Sequence, residues 1–341
     1  MNSDNYDLVI IGAGICGLVL ANEIKFEKPN LKFQVCEKSA GLGGRAATRR
    51  LNEQVVDHGT QYFTAQDQEF KALIEAWLEK GLVKLWTNKL SVWYGDRIAP
   101  EKGQKTRYIC PQGMTSIAKD LAKGLPVKTN TLIVEAKRHS DKWHLKTEAG
   151  EEIHTKTIVS TAPLPQSLDL FADYLSAETK ARLERITYTS CLSAILTFSP
   201  EIAAETLNKF KGIFWHSGNI ISWVANDSSK RVNQPITQAI LVIHCQPGFS
   251  EKNFEEDENV ILDKIISELA LGLGDWVKNP IEKQLKKWKY SQATNVAGKP
   301  YIASNDNSLI LTGDWCIESK IEGAYLAALG VASLDFSLTA V

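Results

Sequence analysis

Gly12-Ala13-Gly14-Ile15-Cys16-Gly17 sets three glycines at the spacing Gly-x-Gly-x-x-Gly. Such a run does its chemistry through the backbone. The first glycine permits a tight turn, the second lets main chain approach a pyrophosphate, and the third lets the following helix pack on a sheet. The N-terminus of that helix attracts phosphate through its free N–H groups and its dipole. Taken alone, the run also fits an ordinary tight turn. Glu37 stands 20 residues after Gly17, where a carboxylate accepts hydrogen bonds from a ribose diol and repels a 2′-phosphate, and Lys38 follows it. The combination points to dinucleotide binding.

The elements that must hold these residues can be read around them. Leu8–Ile11 is a short apolar strand of the kind covered on both faces. Ile15, Leu18, Val19 and Ile24 give a helix that fades near Pro29, and Phe33–Cys36 is a second strand, completing a βαβ unit. Asp67 caps a helix over 67–80 that carries Phe70, Leu73, Ile74, Trp77 and Leu78 on one stripe and stops at Gly81. Short strands follow near 82–94, then a helix over Ser116–Lys123 ending at Gly124. Leu132–Arg138, Trp143–Thr147 and Lys156–Ser160 form a meander with a turn at Ala149-Gly150, and Pro163 and Pro165 mark its exit. Strands are expected at Leu192–Phe198, Ile220–Val224, Ala239–Cys245 and Gln284–Tyr290, with a helix near 258–271. Leu309–Thr312 is a strand, Gly313-Asp314 a turn, and a helix of small residues begins near Glu322. Strand, turn and helix thus recur at both ends. The simplest topology is one nucleotide-binding domain built from both termini and interrupted by a mostly β domain.

Gly43-Gly44-Arg45 follows Glu37 as Glu-x5-Gly-Gly. Two glycines let the chain pass close to a cofactor and Arg45 adds a cation beside it; a glycine-rich loop with a surface arginine is the plainer reading. Directly after a βαβ unit, this pattern resembles the flavoprotein family of amine oxidases, phytoene desaturases and protoporphyrinogen oxidases. Further segments are similar to renalase and its bacterial relatives: Gly43-Gly44-Arg45-Ala46-Ala47-Thr48-Arg49-Arg50, then Asp57-His58-Gly59-Thr60-Gln61-Tyr62-Phe63-Thr64-Ala65, then Arg107-Tyr108 with Pro111-Gln112-Gly113-Met114. Trp288-Lys289-Tyr290 and Gly313-Asp314-Trp315-Cys316 continue the family's order to the C-terminus. Lys289 departs from the arginine more usual there, which removes a bidentate guanidinium.

The resemblance implies an α/β fold: a Rossmann-type, p-hydroxybenzoate-hydroxylase-like FAD-binding domain with an inserted, mostly antiparallel β substrate domain. The FAD domain would comprise 1–66, 110–162 and 295–341, and the substrate domain 67–109 and 163–294. FAD would be met by Gly12, Gly14, Ile15, Cys16, Gly17, Glu37, Lys38, Gly43, Gly44, Arg45, His58, Gly59, Gln61, Tyr62, Val127, Ala162, Gly313, Asp314, Glu322, Gly323 and Ala324. It would be held noncovalently, because Ser291–Ile310, where flavin-linking cysteines of related oxidases fall, contains no Cys. His244, Tyr62, Trp288 and Lys289 are the candidates for catalysis. His244 ends an apolar strand, where a core histidine is the plainer reading, and Lys286, Lys287 and Lys289 around Trp288 equally suit a protected edge strand. The implied activity is oxidation of the 2- and 6-dihydro isomers of NAD(P)H to NAD(P)+, with O2 reduced to H2O2. The alternatives are an amine oxidase acting on a small amine and a non-catalytic flavin-binding redox sensor.

Composition bounds the rest. With 39 Lys+Arg against 40 Asp+Glu, the chain is not built around a nucleic-acid backbone. The six cysteines have neither CxxC nor zinc-ligand spacing, so free buried thiols in a reducing compartment and no metal are expected. No apolar stretch is long enough to span a bilayer and the N-terminus lacks a basic n-region, so a cytoplasmic protein with no membrane partner is expected.

Overall fold

The computed structural model describes residues 4–51, 54–199, 201–202, 209–231 and 238–336. The outermost parts of the expected FAD-domain stretches, 1–3 and 337–341, together with 52–53, lie outside the described residues. The chain divides into two compact units: Met1–Ala46, Ile117–Thr187 and Gln292–Val341 form the first, and Ala47–Ser116 with Tyr188–Ser291 the second.

The first unit is built on strand Asp4–Ile11, which pairs in parallel with Phe33–Cys36 on one side and Glu152–Ser160 on the other. Val127–Lys128 adds to Phe33–Cys36 in parallel. Strand Glu152–Ser160 is shared: its first half pairs antiparallel with Lys142–Thr147, and its second half pairs in parallel with Leu309–Thr312. The meander therefore leaves the sheet at the point where the C-terminal strand enters it. The second half of the central strand, Leu8–Ile11, is apolar, as expected where both sheet faces are covered; Leu8, Val9 and Ile10 have no exposure. Helix Ile15–Glu27 packs against the C-terminal helix Ile321–Ala332, whose Ala327 and Ala328 are fully buried.

The second unit carries a seven-stranded sheet in the order Glu282–Ala293, Tyr188–Phe198, Ala239–Cys245, Ile221–Asn226, Gly212–Trp215, Ser91–Trp93, Ile98–Pro100. Ala239–Cys245 pairs antiparallel with both neighbours. Strand alternation sends Leu241, Ile243 and Cys245 to a core under helix Glu258–Leu273, and Ile240 and Val242 to the opposite core with Trp86, Trp223 and Ala225. Both faces are covered, which explains the unbroken apolar run. Lysine-rich Glu282–Ala293 is an edge strand, as its charges suggest.

Some details differ from the sequence expectation. Pro163 and Pro165 open helix Leu164–Phe171 rather than ending an element, since proline fits the first helical turn. Gly313 precedes a short helix, Asp314–Ile317, rather than a simple turn. Hairpin Thr48–Leu51/Gln54–Asp57 was hidden by the charges of Arg49 and Arg50. It joins the second unit, as do 58–66 and 110–116, whereas 163–187 goes with the first, where Phe171 and Tyr174 pack edge-on against Trp143.

Candidate active site

In the first unit the glycine-rich turn has the geometry its spacing implies. Gly12 sits at φ +107°, and a Cβ on Gly17 would lie 2.0 Å from the Gly12 carbonyl oxygen, so only glycine lets the helix approach its own turn. Gly14 is different: its φ is −74° and a Cβ there meets nothing within 4 Å. It caps helix Ile15–Glu27 without any side-chain hydrogen bond, leaving the helix N–H groups for a ligand. Glu37 is buried beside this turn, its Oε2 accepting from Ala13 N (2.8 Å) and its Oε1 from Ser39 N (2.8 Å). Each oxygen keeps a second acceptor site.

Gly43 donates its N–H to Ala13 O (2.9 Å), and Gly44 lies 3.7 Å from Gly14 Cα when its Cβ is built. The two glycine loops therefore touch. Arg45 then reaches Asp314 with NH2–Oδ1 2.6 Å, and Asp314 Oδ2 accepts from Ser319 Oγ (2.8 Å). Ala162 lies against Gly12, and Val127 pairs with Val35. Lys38 is turned to Gln166 (3.1 Å). At the far end, a Cβ on Gly323 would lie 1.9 Å from Glu318 O, and helix Ile321–Ala332, whose first turn holds Gly323, is again uncapped by any side chain. Glu322 and Ala324 are buried in that first turn. Two uncapped helix N-termini, a glycine cradle with open space above Gly14 and a buried ribose-type carboxylate fit a flavin dinucleotide.

Ile15 and Cys16 are buried in the first helical turn, and Cys16 Sγ lies 3.9 Å from Thr312 Oγ1. Burial pushes the Cys16 thiol up to about 12 and raises Cys316 as well, so neither is a nucleophile at neutral pH. Acid precipitation of the holoprotein is accordingly expected to release all of the yellow colour; colour retained on the pellet would contradict noncovalent binding.

His58, Gly59, Gln61 and Tyr62 fall in the second unit. His58 stacks on Trp288 (centroids 5.4 Å apart, planes 20°), and Trp288 Nε1 donates to the His58 carbonyl (3.1 Å). Tyr62 lies between Trp86 (6.0 Å) and Trp223 (5.5 Å), with the Arg107 guanidinium 5.4 Å from its ring. Arg107 is spent on Glu101, through NH1–Oε1 2.6 Å and NH2–Oε2 2.8 Å.

His244 is cross-strand partner to both Ser193 and Trp223, so the three side chains share one sheet face. Among the described residues, His244 Nε2, Ser193 Oγ and Trp223 Nε1 are all buried with no hydrogen-bond partner, and so is His58 Nδ1. Burial, then the charges of Lys230 and His58, lower His244 to about 4. Burial, then Arg49 and Lys286, lower His58 to about 4, against an opposing pull from Asp227. Both imidazoles are neutral at pH 7. Unfolded histidines take up protons near pH 6.5 while these stay neutral down to about 4, so their contribution to stability is present above 6.5 and is lost as pH falls through that window. Each costs at most about 1.4 kcal/mol per pH unit. Thermal melts should show this acid loss, and it should be shallower in His244→Phe.

Strand alternation separates the lysines around Trp288. Lys287 turns away to the carbonyls of Phe254 (2.6 Å) and Glu256 (3.3 Å). Lys289 shares that parity, with its Nζ 5.6 Å from the Tyr290 ring, so it is not brought beside Trp288. Gln284 and Lys286 share the parity of Trp288, and Arg49 NH1 donates to Gln284 Oε1 (2.6 Å). Among the described residues neither Arg49 nor Lys286 has a carboxylate partner.

A buried charge cluster without a sequence signature lies under the His58 loop. Asp57, Asp227 and Lys230 have no exposure, and Arg231 is nearly as buried. Arg231 NH2 contacts Asp57 Oδ2 (2.8 Å) and Asp227 Oδ2 (2.7 Å), and Lys230 Nζ contacts Asp227 Oδ1 (3.0 Å). Burial raises the Asp227 carboxyl, but Arg231 and Lys230 outweigh it and hold it below the ordinary range. Asp227-Ser228-Ser229-Lys230-Arg231 reads in sequence as a solvated turn; nothing in it signals burial.

The sequence pattern of the family described as flavin containing amine oxidoreductase matches residues 88–334, and that of an NAD(P)-binding Rossmann-like domain matches residues 10–77. The chain belongs to the flavin-containing amine oxidoreductase family. It is an FAD-dependent oxidoreductase, a renalase-like member of the flavin amine oxidase superfamily. Renalase of Mus musculus is 24% identical over 340 residues, covering 95% of this chain and 97% of the relative. Among solved structures, a protein assigned as a protoporphyrinogen oxidase from Exiguobacterium sp. 255-15 superposes with TM-score 0.78 at 14% identity, covering 97% of this flavoprotein and 98% of that chain. Cyclohexylamine oxidase from Brevibacterium oxydans IH-35A gives TM-score 0.73 at 10% identity, covering 98% of each. These likenesses agree with a Rossmann-type domain carrying a mostly antiparallel insertion. No helix among the described residues is long and apolar enough to cross a membrane, and no group of three metal-ligating side chains occurs among them.

Proposed function

We propose that this flavoprotein oxidises the 2- and 6-dihydro isomers of NAD(P)H to NAD(P)+, with O2 as acceptor. The balance is dihydronicotinamide plus O2 plus a proton giving NAD(P)+ and H2O2. Bound FAD would supply the hydride acceptor and the route for two electrons to oxygen. In this reading the first unit holds FAD through Gly12, Gly14, Gly17, Glu37, Gly43, Gly44, Arg45, Asp314 and Gly323.

The observation that carries the reading is the row Ser193–His244–Trp223, with three buried polar atoms lacking partners. Buried polar groups are rarely left unpaired without a ligand or water to meet them. A hydroxyl, a neutral imidazole and an indole N–H together suit a planar ring with an amide substituent. Such a donor gains aromaticity as it loses hydride, so no strong base is required, and histidines held neutral are consistent with that. Arg49 and Lys286 supply uncompensated positive charge on the Trp288 face, suited to a diphosphate and adverse to an ammonium. The aromatic group around Tyr62 already holds the Arg107 guanidinium, which disfavours an amine there.

Exposed phosphate contacts are modest and screened by salt. Arg49→Ala/Lys286→Ala is therefore expected to raise KM for the dihydronicotinamide dinucleotide several-fold, with kcat within about twofold, because the contact is alike in ground and transition states. Lys289→Ala should leave both unchanged. Unaltered KM in the double variant, with an elevated KM in Lys289→Ala, would overturn this placement of the diphosphate.

A further inference from the structure

We infer that Lys230 is a positioning residue, which fixes the orientation of the Gln61 amide and thereby the backbone of the loop carrying His58 and Tyr62. The inference rests on the proposed site only for its catalytic consequence. The geometry stands by itself within the second unit.

Lys230 Nζ donates to Gln61 Oε1 at 2.8 Å. The same amide's Nε2 donates to Asp57 O (2.6 Å) and to Gly59 O (2.9 Å). The Gln61 side chain thus closes its own loop, bridging carbonyls on either side of His58. An amide can be turned over, which would set its oxygen against both carbonyls. An ammonium has three donors and no acceptor, so it accepts only one of the two orientations. No serine or glutamine in its place would be as selective.

The rest of the cluster explains how a lysine tolerates this burial. Asp227 pairs with it at 3.0 Å, Asp57 Oδ2 lies at 3.9 Å, and its Nζ sits 5.6 Å from the Trp86 ring centroid. Arg231 balances the second carboxylate and also ties Val55 O (2.8 Å) and Cys110 O (3.1 Å). The carboxylate of Asp57 is itself held by Thr48 Oγ1 (2.6 Å) and Met114 N (2.8 Å). Two anions and two cations therefore anchor the base of the loop. Lys230 is the member of the four whose hydrogen bond reaches the loop's bridging amide. His58 is fastened as well: its N–H donates to Ala47 O (3.2 Å) and its carbonyl accepts from Trp288.

Lys230→Met alone leaves the cluster with one excess negative charge and tests folding as much as positioning. Lys230→Met/Asp227→Asn restores charge balance, and asparagine keeps an oxygen for Arg231 and the Asp57 N–H. Gln61→Met tests the same contact from the other side: it adds no charge, leaves Lys230 paired with Asp227 and removes both N–H donors. The holoprotein of each is compared with wild type by amide exchange of the peptide spanning 57–62, by melting temperature, and by the rate of flavin reduction. In both variants, exchange at 57–62 is expected to rise roughly tenfold, with protection elsewhere in the unit retained. Flavin reduction should fall about tenfold with KM little changed, since misplacing a site by an ångström is costly to rate. Lys230→Arg, which keeps a cation and donors, should recover part of the loss. Exchange at 57–62 like that of wild type would overturn the inference, and so would a rise no larger there than across the whole unit. Amide exchange needs no substrate, so failure of the proposed reaction leaves this readout intact and the two failures distinguishable.

Discussion

Gly14→Val should purify as a folded, colourless protein. Gly14 has an ordinary φ of −74° and a Cβ there meets no atom within 4 Å, so valine costs the fold little. Its methyl groups instead fill the space above the uncapped helix N-terminus, where a pyrophosphate must come close to main chain. Affinity for FAD should drop by orders of magnitude while circular dichroism stays that of the parent. Gly17 offers no such separation: its Cβ would collide with Gly12 O at 2.0 Å, and Gly17→Val would disrupt the turn itself. Full FAD occupancy in Gly14→Val would remove the phosphate-loop assignment.

The largest effect on stability is expected from Asp227→Ala. The change leaves Lys230 and Arg231 facing a single carboxylate, Asp57, in a region without solvent. Breaking a buried ion pair by removing one partner costs about 3–5 kcal/mol, because an uncompensated charge stays behind. Asp227→Asn should cost less, since its oxygen still accepts from Arg231. A melting temperature for Asp227→Ala within a degree or two of wild type would show that the cluster contributes little to the fold.

The sequence was legible where local rules and burial agree. The glycine turn, the paired strands Asp4–Ile11 and Phe33–Cys36, the Asp67 cap on Gln68–Glu79 and the apolar strand Ala239–Cys245 each follow from spacing or periodicity. Elements with mixed signals were not legible. Arg49 and Arg50 disguise a hairpin, and two prolines read as an exit where they open a helix. For the site, short-range motifs placed the glycine loops, Glu37 and Arg45. One feature depends on tertiary packing and could not be read from spacing: the burial of Asp227 and Lys230, whose residue types usually mark solvent. Which lysine shares a face with Trp288 does follow from spacing once the strand is assigned, because alternation selects Lys286 over Lys287 and Lys289. Ser193 gave no signal at all, since a lone serine in an apolar strand acquires meaning only from the register that sets it opposite His244.

Anaerobic spectral titration of the bound flavin tests most directly whether this flavoprotein takes hydride from the 2- and 6-dihydronicotinamide isomers rather than from amines. Stoichiometric 2- or 6-dihydroNAD(P) is expected to bleach the oxidised flavin band within the mixing time of a manual experiment, ordinary small amines to leave it unchanged, and admitted air to restore the band with one H2O2 formed per dinucleotide oxidised. A flavin that stays oxidised under saturating dihydronicotinamide isomers while simple amines bleach it would contradict the account and reassign the Ser193–His244–Trp223 row to amine recognition.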